Sequence, residues 1–144
     1  MKVRIAVPVI AVIAVLVAVS AARPAVEPPP AVDLKKVERG RQLVWTVGCN
    51  DCHTPKKMGP WGVSYAPNLT PDETTGLGIW TEEMFLQALR TGRHMGTSRP
   101  ILPPMPWQVY GQMPEQDLKA IYAYLRSLPP VRNRVPEPVI VEQQ

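Results

Sequence analysis

The residues with the clearest chemical potential are two cysteines and a histidine within five positions, Cys49-Asn50-Asp51-Cys52-His53. On a helical turn, two thiols three residues apart face the same side, where each can add to one of the two vinyl groups of a haem. The next residue, His53, then projects its imidazole beneath the iron as the proximal ligand. The spacing therefore predicts one covalent haem c, attached through Cys49 and Cys52 with its iron on His53.

Three other uses of a Cys-x-x-Cys pair fit the chain less well. A structural zinc site needs four cysteine or histidine ligands, but besides this motif the sequence offers only His94. A thioredoxin-like redox pair belongs to a strand-to-helix junction, and the sequence pattern shows none. A structural disulfide explains neither the adjacent His53 nor the shortage of large core side chains in a chain whose single phenylalanine is Phe85. A bulky cofactor in the core explains both.

The opposite face of the iron needs a sixth ligand, and electron carriers commonly use methionine there. The methionines after the attachment site are Met58, Met84, Met95, Met105 and Met113. Met105 lies in Leu102-Pro103-Pro104-Met105-Pro106-Trp107, where three prolines hold the backbone extended and lower the entropy cost of presenting one side chain. Spacing and context favour Met105 as the distal ligand, with Met95 as the second candidate.

Three helices are predicted to position these residues. The first begins at the N-cap Asp33 and ends near Val47, and Gly40 on its apolar face predicts a close crossing by another helix. The second has Thr81 as its N-cap and Gly92 just past its end.

The third helix begins with Pro114 as its first residue. It carries an apolar stripe that is expected to meet Gly40 and Val44, formed by Leu118, Ile121, Tyr122 and Leu125. Because no alternating strand pattern is visible, the predicted fold is all-α, with three or more helices around one haem and long Pro- and Gly-rich loops.

The order of these motifs resembles the class I cytochrome c family, and especially the bacterial c-type cytochrome domains found beside periplasmic dehydrogenases. The likeness covers about residues 37–130. It rests on five segments of this sequence: Cys49 to His53, Ala66-Pro67-Asn68-Leu69-Thr70-Pro71-Asp72, Gly76-Leu77-Gly78-Ile79-Trp80-Thr81, Pro103-Pro104-Met105-Pro106, and Asp117-Leu118-Lys119-Ala120-Ile121-Tyr122-Ala123-Tyr124-Leu125.

The resemblance implies roles for further residues. Met105 would be the distal ligand, and the carbonyl of Pro67 would bind the second ring nitrogen of His53 and fix its orientation. The side chains of Asn68 and Trp80 would lie near the haem propionates, with surface packing as an equal alternative for both.

The two ends of the chain differ in composition from the middle. Residues 1–22 have a basic start followed by an unbroken apolar stretch, which predicts a signal peptide or an uncleaved membrane anchor. The expected location is the periplasm, either soluble or anchored to the inner membrane. The predicted organisation is a leader over residues 1–22, a Pro-rich linker over 23–31, a cytochrome c domain over 32–128 and a Pro-rich tail over 129–144.

The expected function is single-electron transfer on a His/Met-ligated haem c, rather than enzyme catalysis. The expected partners are redox proteins such as a periplasmic dehydrogenase or a terminal oxidase. The net charge of +4 is too small to predict nucleic-acid binding. The alternatives are a cytochrome subunit of a dehydrogenase complex, and a haem enzyme or gas sensor with an open or displaceable sixth position. For the enzyme or sensor, His94 or Arg99 would be the polar distal group, although both are expected at the surface near the end of the second helix.

Overall fold

The structure, a computed structural model, describes residues 31–53, 56–59 and 62–140, with only the backbone described for 56–59. Every element below belongs to one compact unit that begins at Val32. The predicted leader, and the linker up to residue 30, lie outside the described residues.

Helices dominate the described part of the chain, so the all-α fold class is confirmed. The helices are α1 (Leu34–Thr46), α2 (Cys49–Cys52), α3 (Glu82–Thr91), α4 (Trp107–Tyr110) and α5 (Glu115–Ser127), with a 3₁₀ turn at His94–Gly96. Three short strands form one antiparallel sheet in the order β1-β2-β3: β1 (Lys56–Gly59), β2 (Gly62–Tyr65) and β3 (Val139–Ile140).

The helix boundaries follow the local signals in the sequence. The Asp33 side chain accepts hydrogen bonds from the first amides of α1, and the Thr81 hydroxyl accepts one from the Met84 amide at 3.1 Å. α3 is followed directly by Gly92, whose φ of 68° is left-handed and which caps the helix. The third predicted helix, α5, starts one residue late, because Pro114 has an extended ψ of 139° and stands at the N-cap rather than in the first turn.

The structure contains a small sheet, whereas no strands are expected from the sequence. β1 and β2 contain four residues each and β3 only two, and such short segments show no readable alternation. α5 ends at Ser127, just before the predicted Pro-rich tail, but the tail regains regular pairing further on, where Val139 lies opposite Val63 and Ile140 opposite Gly62.

The core is organised by the crossing of α1 and α5. The predicted close approach at Gly40 is confirmed, because a Cβ atom there would collide with the carbonyl of Ala120 and lie 2.8 Å from the Cβ of Tyr124. The predicted stripe is confirmed at Val44, which lies in one buried core cluster with Leu118, Ile121 and Leu125. It is wrong at Gly40, where the nearest atoms belong to Ala120 and Tyr124. α3 also contributes to this cluster.

None of the helices in the described part of the chain is long and apolar enough to cross a membrane.

Because α1 and α5 lie so close together at Gly40, one methyl group added there should strongly reduce the stability of the protein. Gly40→Ala is expected to lower the free energy of unfolding by about 1–3 kcal/mol, because the new Cβ must push α5 away. Lys35→Ala, at an exposed position of the same helix, is the control and should stay within about 0.5 kcal/mol of the parent. Denaturant unfolding measures both. A stabilised Gly40→Ala variant would contradict the packing, because alanine is the better helix former wherever space exists.

Candidate haem site

The Cys-x-x-Cys-His segment forms one helical turn placed directly after α1. Gly48, with a φ of 73°, occupies the left-handed region between α1 and α2, a conformation that other residues rarely adopt. The amide of His53 donates to the carbonyl of Cys49 at 2.9 Å and closes the turn. Neither Cys49 nor Cys52 is in a disulfide, so both thiols are available for attachment.

A cavity of about 260 Å³ lies beside this turn, with mainly apolar walls. The cavity is lined by all seven residues predicted for the cofactor: Cys49, Cys52, His53, Pro67, Asn68, Trp80 and Met105. An apolar chamber bordered by two thiols, an imidazole and a thioether has the donor set for a haem bound through both sulfurs. The residues present therefore fit this cofactor.

The imidazole of His53 is held in the form that can bind a metal. Its Nδ1 lies 3.1 Å from the carbonyl oxygen of Pro67, so Nδ1 carries the proton and Nε2 is left for a ligand. Burial lowers the pKa of His53, and the bond to Pro67 opposes that shift. The lowered pKa favours the neutral form of the ring. Burial raises the pKa of the Cys49 thiol.

The structure separates the two methionine candidates. Met105 lines the cavity, whereas Met95 lies in the 3₁₀ turn with a φ of 55° and does not line it. Met84 and Met113 are also absent from the walls, and the side chain of Met58 lies outside the described residues. Met105 is thus the methionine that the structure brings to the same cavity as His53.

The loop that carries Met105 is a turn and not the predicted extended segment. The amide of Met105 donates to the carbonyl of Leu102 at 3.3 Å, which folds the chain back across the two prolines.

Ser64 of β2, only 7% exposed, is the one buried polar side chain of the described residues. Its hydroxyl donates to the carbonyl of Pro103 at 2.8 Å, which ties the loop to the sheet. No signal in the sequence distinguishes this serine from an ordinary strand residue.

Further contacts connect the Met105 loop to the helices. The hydroxyl of Tyr110 in α4 donates at 3.0 Å to the carbonyl of Val47, just before the cysteine turn. The guanidinium of Arg90 in α3 donates to the carbonyls of Gly111 and Met113. The Met105 loop itself is therefore tied to β2, and the chain that continues from it, up to Met113, is held against α3 and the residue that follows α1.

The side chain of Asn68 makes all of its hydrogen bonds to other groups of the protein. Its Nδ2 donates to the hydroxyl of Thr75 at 3.0 Å and to the carbonyl of Val131 at 2.6 Å. Its Oδ1 accepts from the amide and the hydroxyl of Thr70. These bonds make Asn68 the centre of the loop that follows Pro67, and its role at the haem stays a prediction.

Trp80 also has well-defined partners. Its carbonyl accepts a hydrogen bond from the hydroxyl of Tyr122 at 2.6 Å, which joins the loop to α5. Its ring packs edge-on against His94, with 4.8 Å between the ring centroids. Its predicted contact with the haem propionates also stays a prediction.

Several lining residues are missed or misplaced by sequence reasoning. His94 and Arg99 line the cavity as well as bordering the surface. Burial, and then the charge of Arg99, lower the pKa of His94. The tail contributes the other unexpected part of the wall, which consists of Val135, Pro136, Glu137 and Pro138.

The chain is similar in sequence to one protein family and to several known proteins. The cytochrome c family matches residues 37–129. A nicotinate dehydrogenase subunit of Pseudomonas putida is 36% identical over 110 residues, which is 69% of this chain and 9% of that protein. The fructose dehydrogenase cytochrome subunit of Gluconobacter japonicus is 31% identical over 117 residues, 74% of this chain and 24% of that protein.

A third relative is the cytochrome c subunit of the quinone alcohol dehydrogenase of Gluconacetobacter polyoxogenes. It is 30% identical over 122 residues, 77% of this chain and 26% of that protein. The chain therefore spans only between 9% and 26% of the length of these three relatives.

The family match covers the cysteine turn, the loop after Pro67, the Met105 loop and α5. The same segments enclose the cavity that fits one haem c held by Cys49 and Cys52. On both grounds, this chain belongs to the cytochrome c family.

Proposed function

We propose that this chain carries single electrons on one haem c, attached through Cys49 and Cys52 and ligated by His53 and Met105. The observation that carries the proposal is the shared cavity, which has the oriented imidazole of His53 and the thioether of Met105 in its walls. When bound, the haem supplies a one-electron couple between ferric and ferrous iron.

The protein residues hold and tune that couple. The hydrogen bond from His53 to Pro67 fixes the ring and increases its basicity, while a methionine on the other side favours the ferrous state. The apolar wall limits the access of water, which also favours the less charged ferrous form. None of these three contributions needs a substrate to reach the iron.

The rival function, a haem enzyme or gas sensor, needs an open or displaceable sixth position. His94 and Arg99 line the cavity and could serve as polar distal groups there. The Met105 loop argues against that function, because Ser64, Tyr110 and Arg90 fasten it or its continuation to three other elements. A fastened loop suits a permanent ligand and therefore a carrier without enzyme activity of its own.

The relatives support a dehydrogenase as the electron donor, since two of the three are named as cytochrome subunits of dehydrogenases. The chain would act as a subunit or separate partner of such an enzyme and pass electrons on, for example to a terminal oxidase. Its leader over residues 1–22 would export the cytochrome c domain, residues 32–128, to the periplasm. That leader would then be cleaved or remain as an inner-membrane anchor, with residues 23–31 as the tether.

Attachment and one-electron chemistry can be tested on protein matured in a host that attaches haem in its periplasm. Mass spectrometry should show the added mass of one haem, and the addition should be absent from the double variant Cys49→Ala/Cys52→Ala. A redox titration should follow a one-electron curve, with about 59 mV per tenfold change in the ratio of oxidised to reduced protein. Bare thiols in the parent protein would contradict the proposal, and a high-spin ferric spectrum would favour the enzyme or sensor.

Met105→Leu is expected to abolish the methionine-to-iron charge-transfer band of the ferric protein and to lower the reduction potential, because the thioether is lost. Met95→Leu is the matched control and should leave both unchanged, since Met95 does not line the cavity. Absorption spectra and voltammetry measure the two effects. Loss of the band in Met95→Leu but not in Met105→Leu would reverse the ligand assignment.

Ser64→Ala tests whether the buried hydroxyl holds the Met105 loop. Loss of its bond to the Pro103 carbonyl should weaken the loop by about 1 kcal/mol. The charge-transfer band should then disappear on heating at a temperature about 4–8 °C below that of the parent. Ser127→Ala is the control, because its hydroxyl also donates to a carbonyl, that of Tyr124 at 2.7 Å, but does not touch the loop. Equal shifts in both variants would show that Ser64 has no special effect on the ligand.

A further inference from the structure

The tail is fixed at its beginning to the loop that follows Pro67. The amide of Val131 donates to the hydroxyl of Thr70 at 3.0 Å, and its carbonyl accepts from Asn68 Nδ2 at 2.6 Å. Two residues later, the amide of Asn133 donates to the hydroxyl of Thr75 at 3.0 Å. We call these three side chains, of Asn68, Thr70 and Thr75, the clasp.

The tail is fixed again at its other end. Val139 and Ile140 form β3 and pair with Val63 and Gly62 of β2, which immediately precede the serine that holds the Met105 loop through Pro103. The clasp belongs to the loop beside the proximal His53, while β2 is tied to the distal loop. The tail thus spans from the proximal side of the cavity to the distal side.

The stretch between these two attachments faces the cavity. Val135, Pro136, Glu137 and Pro138 are all in the cavity wall, and Val135 and Pro138 are half-buried. A proline has no amide proton, so Pro136 and Pro138 can cover an apolar surface without presenting an unsatisfied donor to it. The composition of the stretch suits a cover over an apolar cofactor.

We infer that residues 131–140 form a permanent wall of the haem pocket, held by the clasp and by β3, and that this wall helps to set the reduction potential. The inference rests on the proposed function only for the identity of the group that occupies the cavity. By excluding water from one side of the haem, the wall disfavours the more charged ferric state, so loosening it lowers the potential.

The first test is hydrogen exchange of the complete holoprotein followed by NMR. The amides of Val131 and Asn133 are bonded to the clasp and should exchange at least about fivefold more slowly than unbonded amides. Arg132 and Arg134 are controls within the same segment, because their amides make no hydrogen bond in the described part of the chain. Equal exchange at all four positions would overturn the inference, since the tail would then be undocked.

The second test combines exchange with voltammetry on Thr75→Val. This variant removes the acceptor for the Asn133 amide, and we expect faster exchange there together with a lower reduction potential. Thr74→Val is the matched control. The hydroxyls of Thr74 and Thr75 both donate to the carboxylate of Asp72, at 2.9 and 2.7 Å, but the Thr74 hydroxyl makes no hydrogen bond to the tail. Because Thr75 is itself in the cavity wall, Thr70→Val should lower the potential as well, since Thr70 is not among the wall residues and its hydroxyl is the acceptor for the Val131 amide. Thr70→Val also takes the place of Thr75→Val if that variant does not accumulate as holoprotein.

Glu137 is one of the wall residues, and the negative charge of its side chain has an electrostatic effect of its own on the iron. Glu137→Gln measures that effect separately, since it removes the charge and leaves the clasp intact. A tail freed in Thr75→Val without any change in potential would contradict its role as a wall of the haem pocket. Failure of the proposed function is distinguishable, because it would appear in the parent protein as a missing haem or a missing one-electron wave.

Discussion

The close approach of α1 to α5 at Gly40 determines where the rest of the site can be built. α2 begins only three residues after α1 ends, so the crossing sets the position of Cys49 and the residues that follow it. α5 also reaches the opposite loop, because Tyr122 donates to the carbonyl of Trp80 and Arg126 donates to the carbonyls of Leu77 and Gly78. One helix pair therefore aligns the attachment turn with the loop that carries Pro67.

The cavity is enclosed largely by loops, and their backbone groups must be satisfied without long helices or strands. Short polar side chains supply those bonds. Asp72 accepts from the amides and hydroxyls of both Thr74 and Thr75, and Asn68 does the same for Thr70. Because these bonds fix the loops internally, the apolar side chains of the loops are free to face the cavity. The loops around the chamber are thus held together by their own short polar side chains.

Local features of this protein can be predicted from the sequence, and long-range ones cannot. The N-caps Asp33 and Thr81 and the cysteine turn depend on residues within four positions of one another, so their patterns are readable. The bond between Asn68 and Val131 joins residues 63 positions apart, and the pairing of β3 involves only two residues. Gly40 indicates a crossing, but only the packed structure shows that Ala120, rather than the apolar stripe, meets it. Ser64 is missed for the same reason, since its partner Pro103 is distant in sequence.

The two sides of the proposed iron site differ in how they are held. The proximal His53 belongs to a turn that would be bonded covalently to the cofactor through Cys49 and Cys52, and the carbonyl of Pro67 fixes its ring. The distal loop and the tail depend on single hydrogen bonds between distant segments, each contributing on the order of 1 kcal/mol. The family match ends at residue 129, whereas the cavity wall continues to Pro138. Sequence changes in the tail can therefore alter the surroundings of the haem while the residues shared with the family, and the fold they specify, stay the same.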